Sequence, residues 1–126
     1  MQLSKNFKLS EFTSGDNAFF SHSALENLPL LVNDLEVIRE ALGNNEITIT
    51  SGFRSEKHNK KEGGSTNSYH MLGMAADFKV KGVTPSQVRS TIYKLMENGS
   101  ITLGGVGSYN SFTHFDIRGV YRFWKQ

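Results

Sequence analysis

The stretch SYHMLGMAADF, Ser68 to Phe78, sets a histidine and an aspartate seven residues apart in an otherwise largely apolar run. From Ala75 to Val80 the sequence AADFKV reads as a β-strand, and its period-two alternation puts Asp77 on one face with Ala75 and Lys79. A carboxylate in a buried strand loses its hydration and needs a partner that outweighs the loss. The partner must come from elsewhere in the chain, as a metal ion held together with histidines or as a cation such as Arg54 or Lys79.

At 126 residues the chain fits one domain, residues 1–126, large enough to bury a core without metal or disulfide staples. Its 37% hydrophobic and 21% charged residues are those of an ordinary globular protein and argue against disorder. The net charge of +2 is too small and too evenly spread for nucleic acid recognition by field strength. No cysteine is present, so a metal would have to be held by His, Asp or Glu. The start MQLSKNFKLSEF lacks the apolar run of a secretory signal, and no segment approaches the ~18 to 20 apolar residues of a membrane span, so stable membrane association is not expected.

The flanking elements are scaffold. Leu28, Leu31, Leu35, Ile38 and Leu42 recur at helical spacing, with Pro29 suited to a first turn and Gly43 to the position past the end. EITIT, Glu46 to Thr50, reads as a strand that delivers the chain to SGFRS and Arg54. A short helix capped by Ser55 should end before Gly63 and Gly64, and a second should open on the capping box TPSQ at Thr84 and carry Val88, Ile92, Leu95 and Met96 toward Gly99. The last third reads as an antiparallel hairpin around Tyr109-Asn110-Ser111, with Phe112, His114 and Asp116 on one face of its second strand. Phe123 and Trp124 read as core or as a lid over an edge. Gly104, Gly105 and Gly107 do not form a phosphate loop, since no helix and no Lys-Ser/Thr follow.

Of the four histidines, only His70 and His114 stand beside acids in β-rich, glycine-flanked settings. A catalytic zinc ion commonly takes three such protein ligands and keeps a fourth position open. His70, Asp77 and His114 would make a set of two imidazoles and one carboxylate. There is no HExxH helix, so the ligands must meet from distant segments. The plain alternatives are a turn histidine bonded to backbone at His70 and an ion pair at Asp77.

SGFRSEKHNKKEGGSTNSYHMLGMAADF, followed by GGVGSYNSFTHFDIRG, resembles the zinc D-Ala-D-Ala carboxypeptidases, metallopeptidase family fifteen, and in particular their short single-domain branch. The family motif S-x-H-x-x-G-x-A-x-D is matched by Ser68, His70, Gly73, Ala75 and Asp77, and its H-x-D ending by His114 and Asp116. The resemblance implies that His70, Asp77 and His114 bind zinc and that Arg54 faces the substrate, pairing with a carboxylate or stabilising an oxyanion. Many relatives place a glutamate three residues before the last histidine as general base, whereas this chain has Ser111 there. Asp116 is the nearest replacement as catalytic base, or else it orients a ligand. Ser68 and Tyr109 are candidates for substrate contact, with backbone capping and hairpin packing as the alternatives. His58 and Asn59 match the family's HN, and helix-end hydrogen bonding explains them equally well.

The fold expected is α+β, a small antiparallel sheet carrying a zinc site and flanked by helices, in the manner of hedgehog and DD-peptidase domains. The activity expected is zinc-dependent hydrolysis of peptidoglycan stem peptides or crosslinks, as carboxypeptidase or endopeptidase, by a monomer without nucleic acid partners. The expected place of action is the bacterial cell wall, reached from the cytoplasm through a holin or as part of a virion, as in phage or prophage endolysins. Two rivals stand against this: a catalytically inactive zinc-binding relative serving as a peptidoglycan-binding or virion structural module, and a metal-free interaction domain in which Asp77 pairs with Arg54.

Overall fold

The computed structural model describes residues 1–126. Helix α1 spans His22–Ala41, and Ala24, Leu28, Leu31, Val32, Leu35 and Ile38 form its buried stripe. It begins well before the first turn expected at Pro29, because the Ser21 hydroxyl caps it by accepting from the Ala24 N–H at 3.1 Å. Pro29 therefore lies inside the helix, where it cannot donate to the Leu25 carbonyl. Its exposed position lets water reach that carbonyl. Pro29→Ala is expected to stabilise the protein by about 1–3 kcal/mol, up to the usual interior proline penalty. Thermal unfolding would register this as a raised Tm at unchanged activity.

The strands are β1 (Ile47–Ser51), β2 (Ala75–Val80), β3 (Gly105–Ser108), β4 (Thr113–Asp116) and β5 (Arg122–Lys125), in spatial order β1-β2-β4-β3-β5. All neighbours are antiparallel except β3 and β5. The expected α+β architecture is present. The short helix α2 (Glu56–Lys61) is capped by Ser55, and α3 (Pro85–Glu97) opens on the Thr84–Gln87 capping box, as their sequences require. Residues 122–125 are the main departure: Phe123 and Trp124 belong to a fifth strand, paired in parallel with a strand well before it in sequence, which local pattern does not reveal.

Alternation divides the sheet into two faces. Ala76, Phe78, Val80, Val106 and Phe115 join the core beneath α1 and α3. Phe7 and Phe12, the latter closing a 3-10 turn at Leu9–Phe12, complete that core, and the Phe12 carbonyl accepts from the Phe53 N–H at 3.0 Å. The other face carries Asp77 opposite His114, His114 opposite Gly107, and Gly107 opposite Trp124. In the next row Ala75 lies opposite Asp116, and Gly105 opposite Arg122. A single register thus lines the polar residues of β2, β4 and β5 across one surface, with the glycines of β3 between them.

Candidate metal centre

His70 arrives on a 3-10 turn, Tyr69–Leu72, rather than on a strand. The Ser68 hydroxyl caps this turn by accepting from the His70 N–H at 3.2 Å. Gly73 closes it at φ 69°, and a Cβ there would also lie 2.6 Å from the Ala24 Cα of α1. The turn is therefore clamped between its cap and a helix. Within it, His70 Nδ1 sits 2.8 Å from the Gly52 carbonyl oxygen. A carbonyl only accepts, so Nδ1 carries the hydrogen and Nε2 presents its lone pair to the site.

Asp77 and His114 face each other across β2 and β4. His114 Nδ1 lies 2.9 Å and His70 Nε2 3.3 Å from the same oxygen, Asp77 Oδ1. One ligand atom from each of these three residues lies within 4.8 Å of the other two, and all three residues are buried. Tetrahedral zinc with bonds of ~2.0–2.1 Å holds its ligand atoms ~3.3 Å apart, so this donor set fits such an ion with little movement. The outer atoms fit as well. His70 is tied to a carbonyl, and His114 Nε2 donates to Asp116 Oδ2 at 2.7 Å, the carboxylate–histidine arrangement that orients metal ligands.

The two carboxylates are held as anions. Burial pushes Asp77 upward, but the His114 and His70 imidazoles beside its Oδ1 outweigh it and leave the carboxyl well below its usual range. Asp116 is likewise raised by burial and lowered further by bonds from Arg118 and His114. For His114 burial favours the neutral ring, yet its bonds to Asp116 and Asp77 turn the net shift upward.

Both partners considered for Asp77 prove compatible. Arg54 Nη2 donates to Asp77 Oδ2 at 3.3 Å, leaving Oδ1 to the two imidazoles, while Lys79 is exposed. Arg54 is aimed by further bonds from Nε to Ser51 Oγ at 3.0 Å and from Nη1 to Asn59 Oδ1 at 3.4 Å. Asn59, buried in α2, also donates to the Ser65 carbonyl at 2.7 Å. This places Asn59 behind Arg54, whereas His58 lies 3.6 Å from Glu62 at the end of the helix.

A cavity of about 580 Å³ opens over the three metal-type residues and is lined by Arg54, Ser68, Tyr109, Arg118, Arg122 and Trp124 among others. Asp116 is absent from its lining and is fully buried. Its Oδ1 accepts from the Gly105 N–H at 2.8 Å and from Arg118 Nε at 2.9 Å, and its Oδ2 accepts from Arg118 Nη2 at 2.7 Å as well as from His114. Asp116 thus has both oxygens committed to donors within the chain and turned away from the cavity. Its geometry matches the orienting alternative.

This wall includes Arg118, which no sequence motif singles out, and Trp124, which the sequence places only as core or as a lid over an edge. Arg118 forks onto Asp116, with its guanidinium 4.5 Å from the Tyr69 ring centre and 5.3 Å from that of Trp124. Two residues beyond Asp116, it was open to detection as a same-face partner. Trp124 packs 4.8 Å from the His114 ring and donates from Nε1 to the Tyr109 hydroxyl at 3.0 Å. Gly107 makes room for that indole, since a Cβ there would lie 2.8 Å from it, and Gly105 makes room for the Asp116–Arg118 pair. These glycines serve close approach between side chains.

A family model described as Peptidase M15 matches residues 5–116. The chain is 37% identical over 91 residues to the probable peptidoglycan L,D-endopeptidase MepK of Haemophilus influenzae, covering 67% of this chain and 45% of that protein. It is 38% identical over 93 residues to the zinc D-Ala-D-Ala carboxypeptidase of Streptomyces albus G, covering 71% and 34%. Over 104 residues it is 32% identical to the peptidoglycan L,D-endopeptidase MepK of Escherichia coli K12, covering 76% and 53%. The matched region thus spans between a third and about half the length of these relatives. Because the family match extends over nearly the whole chain and takes in the His70–Asp77 turn and strand together with the His114 strand, the chain belongs to the peptidase M15 family.

Proposed function

We propose that the protein is a zinc-dependent peptidase acting on peptidoglycan peptides, with His70 Nε2, Asp77 Oδ1 and His114 Nδ1 as the metal ligands. The observation that carries this reading is the convergence of those three atoms while each imidazole's remote nitrogen is tied to an acceptor. The relatives' names supply the substrate class and the metal. We place its action at the bacterial cell wall, by a monomeric unit of residues 1–126 reaching the wall through a holin or within a virion.

The ion supplies Lewis acidity toward the scissile carbonyl and lowers the pKa of a water at the site. Arg54, pre-aimed by Ser51 and Asn59, offers its fork to a substrate oxygen at the cavity wall. Tyr109 accepts from Trp124, so its own O–H proton points elsewhere and can be donated to a substrate oxygen as charge develops. Ser68 contributes by holding His70 in place through its cap. Asp116 keeps His114 Nε2 protonated and Nδ1 turned toward the other ligands, and Arg118 keeps Asp116 there.

The deciding experiment digests purified peptidoglycan with zinc-loaded protein and with chelated protein, reading the released fragments by mass spectrometry. Zinc-dependent loss of a terminal D-alanine identifies a carboxypeptidase, and new internal ends identify an endopeptidase. A second reading, a zinc-binding module without turnover, is favoured by Ser111 in place of a glutamate and by a cavity whose only carboxylate is Asp77. Bound zinc with no release from several wall types would select it.

A further inference from the structure

Three guanidiniums line the cavity, those of Arg54, Arg118 and Arg122, against a single carboxylate, Asp77. Arg54 is engaged by Asp77 and Arg118 by Asp116, at 3.3 and 2.7 Å. Arg122 has no acidic partner and its side chain makes no hydrogen bond within the chain, although it is exposed at the rim of the same cavity. Its placement follows from the sheet. It stands on β5 opposite Gly105 and two residues before Trp124, so it shares the face that carries Asp116, His114 and Trp124. Gly105 contributes no side chain that would separate Arg122 from that face.

Resting on the peptidase reading above, we propose that Arg122 is a specificity-determining residue that pairs with a carboxylate of the substrate away from the scissile bond. A cavity with surplus cationic groups is matched by a ligand that brings negative charge, and a free planar fork recognises a carboxylate through two hydrogen bonds. The substrate class is therefore a peptide with a free carboxylate, in preference to its amidated counterpart. That carboxylate has two possible sources, the chain terminus of the peptide or an internal carboxyl group.

Three peptides separate them: one with both groups free, one amidated at the terminus and one amidated internally. Steady-state kinetics with zinc-loaded wild type, Arg122→Ala and Arg122→Lys are compared. Arg122→Ala is expected to raise KM on the free peptide about fivefold to tenfold with kcat nearly unchanged, and Arg122→Lys to restore part of the loss. On one amidated peptide wild type and Arg122→Ala become equal, and that peptide identifies the carboxylate. An equal loss on all three peptides, a fall in kcat alone, or no change overturns the proposal. If wild type cleaves none of them, the peptidase reading has failed, and calorimetric binding of the same peptides to zinc-loaded protein still decides: a Kd difference confined to the carboxylate peptides supports the role of Arg122, and equal Kd values refute it.

Discussion

Asp77→Asn is expected to lose its zinc and its activity together. A binding free energy of roughly 12 kcal/mol spread over three protein ligands assigns about 4 kcal/mol to one of them, or ~10³-fold in affinity, before the loss of ligand charge is counted. The same change leaves Arg54, only 15% exposed, without its carboxylate. Breaking a buried pair from one side costs about 3 kcal/mol, so the zinc-free variant should also melt earlier. The sign of the pH effect is fixed by the depressed Asp77 carboxyl: its contribution is fully present above the unfolded value of 3.8 and is lost as pH falls through the lower folded value. Metal analysis after dialysis, with melting curves of the zinc-free protein from neutral to acid pH, would test both parts. Full zinc occupancy in Asp77→Asn would remove Asp77 from the ligand set.

Asp116→Asn separates the two roles weighed for that residue. As an orienting group, Asp116 should cost about 10- to 100-fold in zinc affinity or activity when changed, because His114 loses the acceptor for its Nε2 hydrogen. Excess zinc should then recover part of the rate, and the acid limb of the kcat/KM profile should persist. As a general base, its loss would cost about 10² to 10⁴ in rate, leave zinc affinity intact and abolish that limb. The burial of Asp116 and its two bonds from the Arg118 guanidinium predict the first outcome. Zinc titration by competition with a chromophoric chelator, beside pH profiles of hydrolysis, reads both quantities.

Asp116 is ambiguous in sequence for a physical reason. Period two places it on the same face as His114, and a carboxylate beside a metal ligand is suited equally to moving a proton or to holding an imidazole. The choice depends on Arg118 and the Gly105 amide closing over its oxygens, and on how deep it then lies. Ser68 poses the same problem, since a hydroxyl next to a ligand can face substrate or cap backbone, and it caps the turn that carries His70.

The sequence by itself determined α2, α3, the β2 strand, the β3–β4 hairpin and the ligand candidates, because caps, alternation and the spacing of His70 to Asp77 are local features. Its reading of α1 was displaced by Pro29, since a proline that suits a first turn is also tolerated on an exposed helix face once a better cap lies upstream at Ser21. Only the tertiary structure decided the parallel docking of β5, the Trp124–Tyr109 bond and the Arg118–Asp116–His114 chain. These depend on contacts between strands that meet through the register of the whole sheet, and no periodicity within one segment encodes which residue of another strand will stand opposite.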